Sequence, residues 1–341
     1  MRLPSFAYHA PHSLDQALKI KGELGAQAPV LAGGTDLIVN LKHQLSSPAA
    51  LISLRNVKEL KGIQGKPDSL IIRAATTLME IRSNEAIQTH FPILVKAVES
   101  VGALGIQGFR GTIGGNLCLQ PRCILYNQSR FWRSGKAKCH RTGGKECLAL
   151  AGSESCNSIC SGDTVPVLVA LSAQLSIAGS GGQRTLPVAD FFTSKGESPF
   201  NLAPDEIVTE IRLPIPWAPL SWSYQRLSLR SAVDFPLVNA AAVAIIDKEK
   251  VDSFRLVLSA LGPAPVALKE AEAVVKGKKP DSAMVREAGE IALRAAEGIV
   301  VENASTSKAY RVKMAAIMAV RAVEEALGLE TSQATEHKGR R

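Results

Sequence analysis

The 341-residue sequence lacks any long apolar run. Its most continuous apolar stretch, Ala240 to Ile246, is far shorter than the ~20 residues that a membrane-spanning helix needs. The first residues, Met1 to His12, contain neither an apolar segment nor a small-residue cleavage site of the secretory kind. We therefore expect a cytoplasmic protein without a signal peptide and without a membrane partner.

Cysteine is missing from most of the chain. All six cysteines lie between positions 118 and 160, namely Cys118, Cys123, Cys139, Cys147, Cys156 and Cys160. A secreted disulfide-stabilised protein would spread cysteines through a small chain, so that class is excluded. No Cys-x2-Cys pair is present, and only the two outermost spacings approach the paired pattern of zinc sites. Four thiolates in an irregular loop fit a cubane iron–sulfur cluster better.

Acidic residues are absent from positions 110–145, although the chain contains 31 Asp and Glu against 40 Lys and Arg. Eight basic residues lie in this stretch: Arg110, Arg122, Arg130, Arg133, Lys136, Lys138, Arg141 and Lys145. The formal net charge is +9, so this stretch carries most of the excess on an otherwise nearly neutral protein. Such a patch offsets the charge of an anionic cluster and attracts an acidic partner.

The same basic stretch contains three aromatic residues, Tyr126, Phe131 and Trp132. Basic residues interleaved with aromatic ones are also typical of nucleic-acid contacts. A remote alternative is therefore a basic nucleic-acid-binding protein with a structural zinc, although our main expectation includes no nucleic acid. A basic face that is merely solvated would give the same pattern.

The periodicity of apolar residues predicts an α+β protein with two N-terminal units and one C-terminal domain. The predicted ranges are 1–58, 59–216 with a Cys-rich insertion at about 118–160, 220–328, and a solvated tail over 331–341. Ser13 and Gln16 predict the capped start of a first helix that ends near Gly25. The C-terminal domain is predicted as three strands followed by three helices packed on one face of an antiparallel sheet.

Two glycine-rich turns follow predicted strands, one at Gly33-Gly34-Thr35-Asp36 and one at Thr112 to Asn116. Glycines let backbone N–H groups approach a phosphate closely, so both turns together could hold one pyrophosphate. Neither turn has the spacing of the Rossmann or Walker motifs. Taken singly, each turn fits a purely structural role better than a binding role.

Five segments together resemble the FAD-binding medium subunits of the molybdenum hydroxylases, the family that includes xanthine and carbon monoxide dehydrogenases. These segments are Leu31 to Leu37, Thr112 to Leu117, Gly162 to Leu171, Asp234 to Val238 and Ala309 to Arg311. The resemblance implies the two-part FAD-binding domain of molybdopterin dehydrogenases, with an α+β C-terminal domain like that of the carbon monoxide dehydrogenase flavoprotein. The residues that it implies at the FAD site are Val30, Leu31, Ala32, Gly33, Gly34, Thr35, Asp36, Leu37, Thr112, Ile113, Gly114, Gly115, Asn116, Asp163 and Arg226.

The Cys-rich insertion resembles one branch of that family, the β subunits of 4-hydroxybenzoyl-CoA reductases. In that branch the insertion holds a [4Fe-4S] cluster, and the matching ligands here are Cys123, Cys139, Cys147 and Cys156. Cys118 and Cys160 fall outside the pattern and are expected to be plain thiols.

The resemblance to this branch implies an oxidoreductase subunit that carries electrons and does not bind the aromatic substrate. Electrons would pass from a low-potential donor such as ferredoxin through the [4Fe-4S] cluster and FAD to a small subunit with two [2Fe-2S] centres. A large molybdopterin-binding subunit would then carry out reductive aromatic dehydroxylation under anaerobic conditions. The alternative within the family is the FAD subunit of an oxidative hydroxylase.

Overall fold

A computed structural model describes residues 2–329, and the predicted tail over 331–341 lies outside the described residues. The first unit is a small parallel sheet flanked by two helices. Its elements are β1 (Ala7–His9), α1 (Leu14–Leu24), β2 (Val30–Leu31), α2 (Leu37–Lys42) and β3 (Ala50–Ser53), with strand order β1-β3-β2. The predicted cap of α1 is confirmed, because the Ser13 hydroxyl accepts from the Gln16 N–H at 3.2 Å.

The second unit is built on a five-stranded antiparallel sheet of order β4-β5-β8-β6-β7. Its strands are β4 (Ile63–Gly65), β5 (Ser69–Arg73), β6 (Gln174–Gly179), β7 (Gly182–Pro187) and β8 (Ile207–Pro214). Its helices are α3 (Leu78–Arg82), α4 (Glu85–His90), α5 (Pro92–Glu99), α6 (Ile113–Leu117), α7 (Arg130–Ser134), α8 (Val165–Ala170) and α9 (Val188–Phe191).

The apolar stretch from Phe91 to Leu104 does not form one continuous helix. Helix α5 ends at Glu99, and Leu104–Gly108 forms a separate π-helical turn. Gly102 separates the two with a φ of +59°, a left-handed conformation that interrupts a helix and that glycine adopts without strain. Short 3₁₀ turns elsewhere cover Gly25–Gln27, Lys58–Leu60 and His140–Thr142.

The C-terminal domain has the predicted order of strands followed by helices. Its elements are β9 (Ser221–Leu227), β10 (Val238–Asp247), β11 (Lys250–Ser259), β12 (Val266–Ala267), α10 (Lys269–Val275), α11 (Ser282–Ile299) and α12 (Lys308–Ala326). The sheet is antiparallel in the order β12-β11-β10-β9. The α+β fold class predicted from the sequence is therefore confirmed.

Strand β10 is buried on both faces, which sets how the two large domains meet. Ala240, Ala242 and Ala244 pack among the C-terminal helices, whereas Ala241 and Val243 belong to the core of the second unit. Alternate residues of a strand point to opposite faces, so one strand serves two cores. The sheet is thus covered by its own helices on one face and by the second unit on the other.

The Cys-rich insertion is closed at its base by a short antiparallel pairing. The N–H of Arg122 donates to Ile159 O at 2.8 Å, and the N–H of Ile159 donates to Arg122 O at 2.7 Å. The insertion is also attached to the C-terminal domain, because the N–H of Ile124 donates to Asn303 O at 3.0 Å. Within residues 2–329, no helix is long and apolar enough to cross a membrane.

Candidate functional site

The two glycine-rich turns lie directly against each other. A Cβ atom added to Gly33 would stand 1.8 Å from the carbonyl oxygen of Arg110 and 3.0 Å from the Cα of Gly111. Both distances are too short for any side chain, so the contact requires glycine at position 33. The structure thus brings together two motifs separated by about 75 residues, as a shared ligand would require.

The first turn has unused hydrogen-bond donors. Within the described part of the chain, the backbone N–H groups of Gly33, Gly34 and Thr35 donate no hydrogen bond. Gly34 has a φ of +77°, which turns the chain sharply at this point. Free amides in a glycine turn are donors suited to phosphate oxygens.

The second turn is more internally bonded than the sequence suggests. The N–H of Ile113 donates to Thr76 O at 3.1 Å, and the N–H of Gly114 donates to Ala74 O at 2.9 Å. Gly114 also approaches β5 closely, since a Cβ there would lie 2.8 Å from the carbonyl oxygen of Ala74. This turn therefore contributes mainly the shape of the site, and free amides are concentrated in the first turn.

Arg122 connects the insertion to the first glycine turn. Its guanidinium pairs with the carboxylate of Asp36, which also accepts from Asn40 Nδ2 at 2.8 Å. The guanidinium lies 4.4 Å from the centre of the Phe235 ring in the C-terminal domain. Its Nε is buried without a hydrogen-bond partner in the protein. From the sequence alone, Arg122 is one of eight basic residues within positions 110–145, and no motif places it at the site.

Burial shapes the electrostatics of this ion pair. Desolvation raises the pKa of Asp36, and the nearby Arg122 opposes that shift. Desolvation likewise lowers the pKa of Arg122, with Asp36 opposing it. Each group therefore depends on the other to remain charged, since an unpaired charge here would be poorly solvated.

We expect a double-mutant cycle with Asp36→Asn and Arg122→Met to give a coupling energy of about 1–3 kcal/mol. Arg122→Met alone should lower stability most, because it leaves the partly buried carboxylate without its cation. Thermal unfolding of the wild type, both single variants and the double variant measures the coupling. If the stability changes of the two single variants simply add up in the double variant, the two groups do not stabilise each other.

Asp163 and Arg226, both predicted at the FAD site, are paired with each other in the structure. Arg226 Nε donates to Asp163 Oδ1 at 2.8 Å, and Tyr224 and Asn239 donate to the same oxygen at 3.3 Å. Asp163 is only 4% exposed. Burial raises the pKa of its carboxyl, and Arg226 opposes this shift. The pair joins the second unit to β9 and β10.

Asn116 fixes the second glycine turn relative to Asp163. Its side-chain oxygen accepts from the N–H of Thr164 at 3.1 Å and from the hydroxyl of Thr164 at 2.7 Å. Both partners are buried, so these bonds have no competition from water. Asn116 therefore holds the turn at Thr112 to Asn116 against the segment that carries Asp163.

The four cysteines predicted as cluster ligands face a single cavity in the insertion. Cys123, Cys139, Cys147 and Cys156 line it together with Leu125, Tyr126, His140, Leu148, Ala149, Asn157 and Ser158. The two cysteines outside the predicted set are not part of this lining. Cys118 packs against the core of the second unit, where burial raises the pKa of its thiol to about 12. Burial similarly raises the pKa of Cys160 to about 11.

Hydrogen-bond donors surround the sulfur atoms in the cavity. Burial raises the pKa of Cys147, but donors on Asn157 and the backbone N–H groups of Ala149 and Leu150 together outweigh it, and the pKa is lowered. Burial raises the pKa of Cys156, and the backbone of Ser158 and the positive charge of Arg141 oppose the shift. Burial also raises the pKa of Cys123, opposed by two backbone N–H groups of the following turn. Such donors stabilise thiolates over thiols.

The four cysteines that line the cavity do not form a mononuclear metal site. Within residues 2–329, no three His, Cys, Asp or Glu side chains are grouped so as to hold one metal ion. A zinc ion needs its sulfur ligands about 2.3 Å from a single point. A four-iron cluster binds each thiolate at a different iron atom, so its ligands need not converge on one point.

Two residues around the cavity were not foreseen from the sequence. Asn157 lines the cavity and accepts, through its backbone carbonyl, from the side-chain amide of Asn303. Glu197 accepts from the backbone N–H of Cys156 at 2.8 Å. Their contacts reach across 146 and 41 residues of sequence, a separation at which no local pattern gives a signal.

Comparison with known proteins covers nearly the whole chain. Residues 4–216 match the family described as the FAD binding domain in molybdopterin dehydrogenase, and residues 222–326 match the CO dehydrogenase flavoprotein C-terminal domain. The carbon monoxide dehydrogenase medium chain of Hydrogenophaga pseudoflava is 26% identical over 323 residues, covering 95% of this chain and 97% of the relative. The nicotinate dehydrogenase FAD-subunit of Eubacterium barkeri is 25% identical, covering 81% of each chain.

A solved structure gives the same result. A chain of the carbon monoxide dehydrogenase from Hydrogenophaga pseudoflava superposes with a TM-score of 0.79 at 25% identity, covering 96% of this chain and 99% of that one. The likeness includes both domains and therefore the junction between them. The chain belongs to the family of FAD-binding medium subunits of the molybdenum hydroxylases.

Proposed function

We propose that this chain is the electron-transfer subunit of a molybdenum hydroxylase complex, with FAD between its two N-terminal units and a [4Fe-4S] cluster in its insertion. The observation that carries the proposal beyond the family is the cavity lined by Cys123, Cys139, Cys147 and Cys156. This cavity lies in a segment attached both to the first glycine turn, through Arg122, and to the C-terminal domain.

The contacts of the glycine turns support a site for the FAD pyrophosphate. The free amides of Gly33, Gly34 and Thr35 would donate to phosphate oxygens. When bound, FAD supplies the redox chemistry that links one-electron and two-electron carriers. The remaining residues of both turns, from Val30 to Leu37 and from Thr112 to Asn116, shape the cleft.

Asp163 and Arg226 are proposed to hold the polar side of the flavin site in place. Their ion pair, at 2.8 Å, fixes the C-terminal domain against the second unit. Because both groups are largely withdrawn from water, they keep a defined geometry. Their proposed role is to position the site and not to transfer protons.

The donors around the four thiols support a cluster site. Thiolates are the ligands of iron–sulfur clusters, and hydrogen bonds to sulfur tune the potential of the cluster. The hydroxyl of Thr142 donates to Cys139 Sγ at 3.7 Å, and nearby donors also favour the thiolate in the pKa shifts of Cys123, Cys147 and Cys156. Arg141 contributes a positive charge near Cys156, which favours the thiolate.

Two observations bear on the direction of electron flow in the complex, and they favour different candidates. The relatives named above are dehydrogenases, and we therefore propose first an oxidative complex of the carbon monoxide or xanthine dehydrogenase kind. The four-thiol cavity favours the second candidate, reductive dehydroxylation of 4-hydroxybenzoyl-CoA supplied by a low-potential donor such as ferredoxin. In both cases the proposed partners are a large molybdopterin-binding subunit and a small subunit with two [2Fe-2S] centres.

We expect the anaerobically purified chain to contain about one FAD and about four iron atoms. Flavin absorbance, metal analysis and an EPR spectrum of the reduced protein measure these contents. Zinc without iron, together with the absence of flavin, would overturn the proposal and favour the basic nucleic-acid-binding alternative. Flavin without iron would reject the proposed cluster but leave the proposed FAD site standing.

The direction is tested separately on the assembled complex. Reduced ferredoxin and NAD are compared as the electron-exchanging partner, with aromatic acyl-CoA turnover as the readout. Turnover with ferredoxin and 4-hydroxybenzoyl-CoA would select the reductive candidate. Substrate oxidation coupled to NAD reduction would select the oxidative one.

A further inference from the structure

A groove of about 250 Å³ lies on the insertion, directly beside the four-thiol cavity. We call it the basic groove. The residues that line it are Leu125, Tyr126, Arg130, Arg133, Ser134, Lys136, Ala137, Lys138, Cys139, Thr142 and Leu148. Four of its eleven lining residues are cationic.

Only one layer of side chains separates the basic groove from the cavity. Leu125, Tyr126, Cys139 and Leu148 line both. A molecule bound in the groove would therefore contact Cys139, one of the four proposed cluster ligands. Electron transfer between proteins needs such close approach and no covalent step.

The groove carries positive charge held in defined positions. Arg133 donates to Gln44 O at 2.7 Å and to Gln128 O at 3.2 Å, which fixes its guanidinium at the rim. The ammonium of Lys136 lies 5.2 Å from the centre of the Trp132 ring. No acid lies between positions 110 and 145 to neutralise these groups.

An exposed aromatic residue lies in the helix that carries this rim. Phe131, in α7, is 89% exposed, and Trp132 beside it is partly exposed. Aromatic side chains surrounded by cations are typical of the central contacts of protein interfaces. The same pattern would serve nucleic acid, but the wall shared with a cavity of four thiols favours a redox partner.

We propose that the basic groove is the docking site of an acidic one-electron carrier protein, a proposal that rests on the cluster assigned above. In each encounter one electron would pass between the carrier and the cluster, so that the donor of the two is oxidised and the acceptor is reduced, with no bond formed and no proton transferred. Opposite charges raise the rate of such encounters and make that rate depend on salt. Phe131 provides the apolar contact of the docked state.

The test uses the assembled complex with Lys136→Glu/Lys138→Glu. Its matched control is Lys276→Glu/Lys278→Glu, which has the same charge change and spacing at exposed positions of the C-terminal domain. Stopped-flow reduction by an acidic reduced ferredoxin is compared with reduction by reduced methyl viologen, a small cation. We expect the groove variant to react with ferredoxin at least about tenfold more slowly at low salt, with a flattened salt dependence.

The control variant should keep the wild-type rate with ferredoxin, and the groove variant should lose no rate with methyl viologen. Phe131→Ser provides a second variant, in which we expect a slower reaction with unchanged salt dependence. Equal ferredoxin rates in the two charge variants would overturn the proposal. So would failure of the groove variant to copurify with its partner subunits, or single-stranded RNA bound in the groove in preference to ferredoxin.

The FAD and iron contents of every preparation are measured as well, so that failure of the docking site can be distinguished from failure of the proposed function. A wild-type complex without iron rejects the cluster and with it the proposed function. A wild-type complex with full iron and FAD, whose groove variant keeps its ferredoxin rate, rejects only the docking site.

Discussion

Replacement of Cys139 by alanine is expected to remove the iron from the protein while leaving about one FAD bound. Cys139 lines the four-thiol cavity and also forms part of the wall toward the basic groove. A four-iron cluster needs four thiolates, so loss of one opens the site to solvent and to oxidation. The glycine turns are built from other segments, and the FAD content should therefore not change. Metal analysis and flavin absorbance of the same sample measure both effects.

Cys118→Ala is the matched control for this experiment. Cys118 lies in the same stretch of sequence but packs against the core of the second unit and does not line the cavity. We expect its variant to keep the wild-type iron content and EPR signal. Equal iron loss in both variants would show that the insertion responds to any cysteine change, and iron retained in Cys139→Ala would reject the ligand set.

Gly33→Ala is expected to weaken FAD binding strongly without unfolding the protein. The added Cβ would lie 1.8 Å from the carbonyl oxygen of Arg110, so the two glycine turns must separate. Overpacking of this kind costs about 2–3 kcal/mol. Because this cost falls on the conformation that holds the ligand, we expect FAD affinity to fall roughly 100-fold. Flavin content after gel filtration and titration of the apoprotein with FAD measure the loss.

Gly22→Ala makes the same chemical change at a position with open space. Gly22 lies within α1, and no atom within 4 Å would meet an added Cβ. Alanine in a helix is more stable than glycine by up to about 1 kcal/mol, so this variant should be slightly stabilised and keep its FAD. If Gly33→Ala also kept its FAD, the contact between the turns would not be part of the flavin site.

Local patterns were sufficient to predict many of the elements. The capped start of α1 at Ser13 and the strands and long helices of the C-terminal domain follow from side-chain periodicity and end signals. The strands β7 and β8 were not predicted. β8 pairs with β5, more than 130 residues earlier in the chain, and such a partner leaves no local trace.

The residues of the candidate site could be predicted from the sequence, whereas the hydrogen bonds and ion pairs among them could not. The sequence motifs indicate both glycine turns and the four cysteines, yet they do not show that the amides of Ile113 and Gly114 are already bonded. They also suggest that Asp163 and Arg226 face a ligand, whereas the fold pairs these two with each other. Bonds of this kind depend on which segments the fold brings together.

The sequence by itself determined which chemistry is available: glycines where the chain must turn closely, all six cysteines in one insertion, and a stretch of cations without acids. It did so because residue type and spacing fix local conformation and charge. Only the tertiary structure decided that Gly33 touches Arg110, that Arg122 reaches Asp36, and that the basic groove shares a wall with the thiol cavity. These contacts join distant segments, and they are set by the packing of β10 between two cores, which no local pattern encodes.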